Sequence, residues 1–175
     1  INRGMYAEYM PPELRGEPIA QDVHRLARCA ARPEVVWCQH HNGVFRSTDA
    51  GANWIEVSAI KPAKFGFAVA AHPRDPDTAW FVPAIKDEKR VPVDGKVVVA
   101  RTRNGGKSFD VLTEGLPQRH AYDLVLRHAL AIADDGNTLA FGSTSGGLWI
   151  SDNGGDRWTM AEARLPPVNV VRFAV

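Results

Sequence analysis

The chain has 175 residues, which is enough for one domain with a buried core. Its 21 Lys and Arg residues nearly balance 20 Asp and Glu residues, so the strongly basic surface of most nucleic-acid-binding proteins is missing. No apolar run approaches the roughly 18 residues that a membrane span needs, and the sequence shows no signal-peptide pattern. We therefore expect no nucleic-acid partner and no membrane partner, and the compartment stays open.

Short extended segments separated by turns fill the chain after residue 20, without helical periodicity. They fall into three groups of four. The predicted strands of the first group are 23–29, 35–39, 44–47 and 54–58; of the second, 67–71, 79–83, 96–101 and 109–113; of the third, 122–132, 139–142, 148–151 and 158–161. One more strand is predicted at 168–174.

A short pattern recurs between the third and fourth strand of each group. It reads hydroxyl residue, any, Asp or Asn, any, Gly, any two, aromatic, and its copies begin 55 and 49 residues apart. Repeats with periods near 50 residues are typical of propellers and similar arrays. The pattern residues are Ser47, Asp49, Gly51 and Trp54, then Thr102, Asn104, Gly106 and Phe109, then Ser151, Asn153, Gly155 and Trp158.

Three similar four-stranded units joined head to tail predict an all-β fold, a β-propeller of four-stranded antiparallel blades. Propellers typically have about four to eight blades, so this chain would supply about three blades of an incomplete or larger propeller. Residues 21–175 are interpreted as three blades plus the first strand of a further blade, and residues 1–20 as the tail of a preceding blade or a linker. Self-association or further blades would be needed to close the ring, since unpaired sheet edges invite association.

The repeated turn is predicted to be structural. An Asp or Asn side chain can accept hydrogen bonds from its own turn, Gly tolerates positive φ, and the closing aromatic ring can be buried between blades. The alternative is that Asp49 is a catalytic acid or a metal ligand. Because Asn replaces Asp in two of the three copies, the structural role is favoured.

This turn resembles the Asp-box, or BNR repeat, of sialidases, sortilin-type receptors, xyloglucanases and photosystem assembly factors, which are β-propellers. The segments Gly43-Val44-Phe45, Gly147-Leu148-Trp149 and His72-Pro73-Arg74-Asp75-Pro76 are also similar to bacterial members of this group that are called glycosyl hydrolases. The resemblance implies a fold more than an activity, because the same repeat serves hydrolases, receptors and assembly factors. The Phe/Tyr-Arg-Ile-Pro segment of sialidases does not occur in this sequence, so none of its residues is assigned sialidase chemistry.

Strand order divides the loops between two faces. The repeat turns and the first-to-second turns mark one face, and the second-to-third loops and blade connections mark the other, which we call the channel face. The resemblance implies that ligands bind at the channel face. There we expect Asp22 and Asp123 as candidate catalytic carboxylates, and His24, His40, His41, Arg119, His120 and Tyr122 as candidate ligand-binding residues.

Each candidate has a plainer alternative. His24 can be an ordinary buried histidine, and adjacent His40 and His41 point to opposite sides of the chain, so at most one faces the channel. Asp22 and Asp123 can act as acid and base in glycoside cleavage, or simply satisfy backbone groups at blade junctions. Asp22, His24 and one of the adjacent histidines could offer ligands to a divalent metal, but their spacing matches no metal motif, so we expect no metal and no cofactor.

The two cysteines form a separate pair. A turn centred between Pro33 and Glu34 would place Cys29 directly opposite Cys38 on antiparallel strands, within the range of a disulfide. Two buried reduced thiols are the favoured alternative, because no secretion signal is visible in the sequence.

Three functions stay open at this point. We favour a binding propeller that holds a glycan or a protein partner on the channel face. A glycoside hydrolase that uses channel-face carboxylates is the alternative, and a purely structural propeller is the third possibility. An enzyme would show two carboxylates facing each other across open space with perturbed pKa values.

Overall fold

A computed structural model, which describes residues 2–174, shows three four-stranded antiparallel sheets. The first contains β1 (Val23–Arg28), β2 (Val36–His40), β3 (Gly43–Ser47) and β4 (Ile55–Glu56); the second β5 (Gly66–Ala71), β6 (Ala79–Pro83), β7 (Val99–Thr102) and β8 (Asp110–Leu112); the third β9 (Leu130–Ile132), β10 (Leu139–Gly142), β11 (Leu148–Ser151) and β12 (Thr159–Glu162). Within each sheet the strands pair in chain order. The predicted all-β fold of three four-stranded blades is confirmed.

Helical structure in the described residues is limited to three short 3-10 helices, at Pro12–Leu14, Pro18–Ala20 and Val93–Gly95. Between residues 2 and 174, no helix is both long and apolar enough to cross a membrane.

The second blade lies between the other two. Every residue of β5 and β6 is buried, because both faces of this blade are covered. Its inner strand β5 lies beside β1 of the first blade and β9 of the third. One apolar cluster, with Trp37 and Phe81, fills the first interface, and another, with Trp80, Phe141 and Trp158, fills the second. Burying each such side chain contributes roughly 1.5 to 3 kcal/mol.

The three repeat turns share one internal hydrogen-bond pattern. In the first, the Ser47 hydroxyl accepts the Gly51 N–H at 2.9 Å and donates to an Asp49 carboxylate oxygen at 2.8 Å. The same carboxylate accepts the Asn53 N–H at 2.8 Å. The second and third turns repeat these bonds with Thr102, Asn104, Gly106 and Ser108, and with Ser151, Asn153, Gly155 and Arg157. Asn can replace Asp because one acceptor oxygen is enough for the bond to the backbone.

One hydrogen bond in each blade joins the repeat turn to the first-to-second turn. The donor N–H and acceptor carbonyl pairs are Ala50 and Glu34 at 2.8 Å, Gly105 and Asp77 at 3.0 Å, and Gly154 and Asn137 at 2.8 Å.

The repeat turns have seven residues in every blade (48–54, 103–109 and 152–158). The second-to-third loops, on the channel face, have two, fifteen and five residues (41–42, 84–98 and 143–147). The repeat turns are therefore uniform in length, whereas the second-to-third loops of the channel face vary.

The aromatic residues that close the repeat turns differ in burial. Trp54 and Trp158 are buried, as expected, but Phe109 is only partly buried against the cluster between the first two blades. Its ring meets Phe81 edge-on at 6.0 Å. The smaller phenyl ring reaches less far into the interface than the two indoles do.

Two predicted strands differ most from the structure. Of residues 122–132 only Leu130–Ile132 pair with β10, because nearby N–H groups are used in loops, such as Ala121 to the carbonyl of Gly95 and Ala129 to that of Leu126. Residues 168–174 form no regular strand; a single parallel bridge joins Val170 to His128.

The predicted register of the cysteine hairpin is wrong. Cys38 lies opposite Leu26, and the N–H of Cys29 donates to the carbonyl of Val35 at 3.2 Å. The turn is therefore centred near Arg32, earlier than the sequence indicated, and the two cysteines are not cross-strand partners. Both are buried free thiols. Burial raises the pKa of the Cys38 thiol to about 12.

Candidate functional site

Three of the candidate side chains come together at the edge of the first blade. Asp22 precedes β1, His24 lies in β1, and His41 follows β2. The backbone N–H of His41 donates to the carbonyl oxygen of Asp22 at 2.9 Å, which ties the loop to the strand. Asp22 Oδ2 lies 3.2 Å from His41 Nδ1 and 3.6 Å from His24 Nε2. We call these three residues the histidine–aspartate cluster.

His24 is the fixed member of this cluster. Its ring stacks on Phe67 with centroids 4.5 Å apart and 18° between the planes. Nδ1 lies 2.6 Å from the carbonyl oxygen of Gly66, so this nitrogen carries a hydrogen and donates it. Burial lowers the pKa of His24, and the carbonyl of Gly66 and nearby Asp22 oppose this shift to a smaller degree. The neutral ring therefore presents its Nε2 lone pair towards Asp22.

A cleft of about 410 Å³ opens beside His41. It lies between the N-terminal segment and the long loop of the second blade, and the rings of Tyr9 and Phe65 contact His41 with centroids 4.7 and 5.7 Å away. The charged residues around this cleft carry both signs: Glu8, Lys64, Lys86, Asp87 and Glu88. Lys64 and Glu8 form an ion pair at 3.1 Å.

His40 points away from the cluster, as strand alternation requires. It is completely buried, and its ring packs edge-on against Phe45 at 5.5 Å. Its Nδ1 accepts the N–H of Asn42 at 3.3 Å. Burial lowers the pKa of His40 to about 4. This histidine is part of the core of the first blade.

Asp123 lies at the corresponding edge of the third blade, where its partners are serines and not histidines. It accepts hydrogen bonds from the hydroxyl of Ser143 at 2.8 Å and from that of Ser145. The neighbouring N–H of Thr144 donates to the carbonyl of Leu124 at 2.9 Å. Within residues 2–174, no hydrogen bond or ion pair joins Asp123 to Asp22. The two candidate carboxylates thus occupy separate polar clusters.

The remaining candidates, Arg119, His120 and Tyr122, lie in the connection between the second and third blades. All three are exposed, and Tyr122 is 70% exposed. His120 has a positive φ of 53°, and the next residue bonds to Gly95. In the described part of the chain, these three side chains make no hydrogen bond or ion pair with the histidine–aspartate cluster. The predicted set therefore divides into separate groups.

Several residues near the cluster were not predicted as site residues. Phe65 and Phe67 surround His24, and the guanidinium groups of Arg90 and Arg127 lie 5.4 and 5.2 Å from the ring centre of Phe67. The only sequence signal was the pair of phenylalanines two positions apart, Phe65 just before β5 and Phe67 within it. Nothing in the sequence showed that these rings would face His24.

A second cavity, of about 480 Å³, lies along the inner strands of the three blades. Its lining includes Arg25, Arg28 and Arg172, with Asp134 as the single acidic residue. The Arg25 guanidinium contacts His128, and its charge is the main cause that lowers the pKa of this histidine. The lining of this cavity is therefore mainly basic, and among the described residues it contains no pair of facing carboxylates.

Comparison with known proteins identifies the fold. No protein-family model and no curated protein matches the chain. Among solved structures, the GH74 xyloglucanase from Xanthomonas campestris is similar with a TM-score of 0.60 and 24% identity, over 79% of this chain and 20% of that protein. An ancestral GH74 enzyme gives a TM-score of 0.60 and 19% identity, over 78% of this chain and 18% of its own.

A third similar structure is YCF48 from Cyanidioschyzon merolae, with a TM-score of 0.55 and 16% identity over 83% of this chain and 41% of YCF48. The chain thus spans about a fifth of the GH74 enzymes and about two fifths of YCF48. At these identities the likeness is one of fold alone. The three blades form an incomplete β-propeller.

Proposed function

We propose that the chain is a propeller module that binds a partner, a protein segment or a glycan, at the cleft beside His41. The observation that carries the proposal is the lining of this cleft, where Tyr9 and Phe65 lie next to side chains of both charges. Aromatic rings combined with a few polar groups are typical of ligand-binding sites. The cleft is on the channel face, where loops on rigid strands tend to carry function.

A protein segment is the better candidate of the two. Lys64 pairs with Glu8 at 3.1 Å and Lys86 with Glu88 at 3.5 Å. These exposed pairs give the cleft a mixed-charge edge, which suits a peptide that carries both charges more than a neutral sugar. A structure of YCF48 bound to D1 peptide, with a TM-score of 0.55 and 14% identity, supports a peptide as a class of partner for this kind of propeller.

Glycoside hydrolysis is the alternative, since two of the similar structures are GH74 enzymes. It needs an acid and a base or nucleophile on opposite sides of a glycosidic bond. Here Asp22 contacts two imidazoles, and Asp123 accepts hydrogen bonds from two serine hydroxyls. These local partners favour binding over hydrolysis.

Peptide and glycan arrays probed with the full chain test the proposal. Tyr9→Ala and Lys86→Ala should each weaken capture of a bound peptide about tenfold, which corresponds to the loss of one good contact of about 1.4 kcal/mol. Lys107→Ala, in an exposed repeat turn on the other face, is the matched control and should bind like the parent chain. Equal weakening by Lys107→Ala would refute the cleft, and turnover in a glycosidase panel would favour the alternative.

A further inference from the structure

Asp22 Oδ2 lies at a metal-binding distance from one ring nitrogen of His24 and one of His41. One donor atom of each residue falls within 4.8 Å of the other two. Two ligand atoms each about 2.0 Å from a tetrahedral zinc ion are about 3.3 Å apart. The distances of 3.2 Å and 3.6 Å from Asp22 Oδ2 to the two imidazole nitrogens fit that spacing.

The hydrogen bond of His24 favours coordination through Nε2. Because Nδ1–H donates to the carbonyl of Gly66 at 2.6 Å, the neutral ring keeps its lone pair on Nε2. A ligating histidine usually donates its other N–H to a backbone carbonyl or a carboxylate in this way.

The cluster is also held in place before any ion binds. His24 is fixed between Phe67 and the Gly66 carbonyl, and the loop that carries His41 is tied to Asp22 by a backbone hydrogen bond. The Asp22 and His41 side chains are 49% and 23% exposed, so water or a ligand can approach from their side. The opposing feature is positive charge, because the guanidinium groups of Arg90 and Arg127 both lie on the ring of Phe67.

From this geometry we propose that Asp22, His24 and His41 form a three-ligand site for a divalent transition metal, best suited to Zn²⁺, with a further coordination position open to solvent. Two imidazoles and one carboxylate are a typical zinc ligand set, whereas Mg²⁺ and Ca²⁺ prefer oxygen ligands alone. The sequence spacing did not indicate this site, because His41 is distant from Asp22 and His24 in sequence. The pairing of β1 with β2 brings the three residues together. The inference does not depend on the proposed peptide binding.

Isothermal titration of the tag-free, chelator-treated chain with ZnCl₂ tests the site. We expect saturable binding of one ion per chain. Asp22→Asn and His41→Ala should each weaken it at least tenfold, since even changes to residues outside the ligand set typically cost 10- to 100-fold. Asp94→Asn and His128→Gln replace an exposed carboxylate and an exposed imidazole elsewhere, and both should bind like the parent chain.

A second measurement uses the unmodified chain, so that it does not depend on the folding of variants. Cobalt(II) should give the visible absorption of a tetrahedral site with nitrogen and oxygen ligands. A thiolate charge-transfer band would instead identify Cys29 or Cys38 as ligands and overturn the assignment. No saturable zinc binding, or unchanged binding in both Asp22→Asn and His41→Ala, would also overturn it.

Discussion

Trp54 donates its backbone N–H to the carbonyl oxygen of Arg3 at 2.7 Å. Trp158 makes the equivalent bond to Glu114 at 2.9 Å. Each tryptophan thus packs on a segment that precedes its own blade, and in each case the next residue of that segment is a glycine. The N-terminal segment has the same relation to Trp54 as the second blade connection has to Trp158.

Gly115→Ala should destabilise the fold strongly. A Cβ at this position would lie 1.8 Å from the carbonyl oxygen of Trp158, and the φ of 80° is unfavourable for any residue with a side chain. Strain and overpacking together should lower the free energy of unfolding by roughly 2 to 4 kcal/mol. Gly16→Ala is the control, because nothing lies within 4 Å of its added Cβ. Urea denaturation of both variants measures the difference. Equal midpoints would contradict the close contact between Gly115 and the backbone of Trp158.

Trp158→Ala should cost roughly 3 to 5 kcal/mol of stability, because a buried indole is removed from the interface of the second and third blades. Phe109→Ala should cost clearly less, since this ring is only partly buried. Chemical denaturation of the two variants beside the parent chain tests the ranking. A larger loss in Phe109→Ala would show that the repeats are not equivalent in the way their hydrogen bonds indicate.

The blades could be predicted from sequence because the repeated turn fixed the positions of strands that are short and otherwise ambiguous. The period of the turns, more than any single strand, revealed the architecture. Features that depend on which backbone groups pair with one another were not predictable. The centre of the turn between β1 and β2 was misplaced, so Cys29 and Cys38 were wrongly set opposite each other. Residues 122–129 looked like a strand because their apolar pattern was read without knowing which N–H groups the loops would use.

The candidate site was predictable only in part. Strand order was enough to place Asp22, His24 and His41 on one face, and alternation was enough to separate His41 from His40. The stacking of Phe67 on His24 comes from packing between two blades, which no local pattern encodes. Whether Arg119, His120 and Tyr122 act with the cluster stays a prediction.

Protonation of Asp49 in acid should lower the stability of the fold. The Asn53 side chain, the Asn53 N–H and the Ser47 hydroxyl donate to this carboxylate and lower its pKa from 3.8 to about 2. Since the folded state holds the depressed pKa, its stabilising contribution is complete above about pH 4 and is lost as the pH falls through about 2. Asp49→Asn copies the other two turns and has no carboxyl group to titrate at this position. Between pH 5 and pH 2 its melting temperature should therefore fall by less than that of the parent chain.

Asp152→Asn is the matched control for this experiment, because Asp152 is an exposed residue of the third repeat turn. Its melting temperature should fall with pH as steeply as that of the parent chain. Identical slopes for Asp49→Asn and the parent would mean that the hydrogen bonds to Asp49 do not favour its ionised form.

Asp123→Asn should separate binding from hydrolysis. If the chain only binds a partner at the cleft beside His41, Asp123→Asn should leave both binding and the fold intact, because Asp123 bonds to Ser143 and Ser145 in a separate polar cluster. In a hydrolase that uses Asp123, the same change should abolish turnover. Binding assays and a glycosidase panel on one preparation decide between these outcomes, and full activity with full binding would remove Asp123 from the site.

The chain on its own is expected to self-associate, because three blades do not close a ring. The outer side of the first blade exposes Val23 and Leu26 beside a groove lined by Met5 and Trp54. Light scattering should therefore give a mass above 19.2 kDa. Leu26→Glu should shift the mass towards the monomer, whereas Ile19→Glu, at an exposed side chain that does not line this groove, should not. A stable monomer at all concentrations would contradict the expectation.

The constant seven-residue repeat turns and the variable second-to-third loops have a consequence for protein engineering. A foreign peptide grafted into the loop at 84–98 would extend a segment that already differs in length from its counterparts, and the sheets beneath would keep their register. The same insertion at 48–54 would break the bond between Ala50 and Glu34 and separate two turns that hold one edge of the blade together. The molecule thus offers a scaffold with one permissive face and one that does not accept insertions.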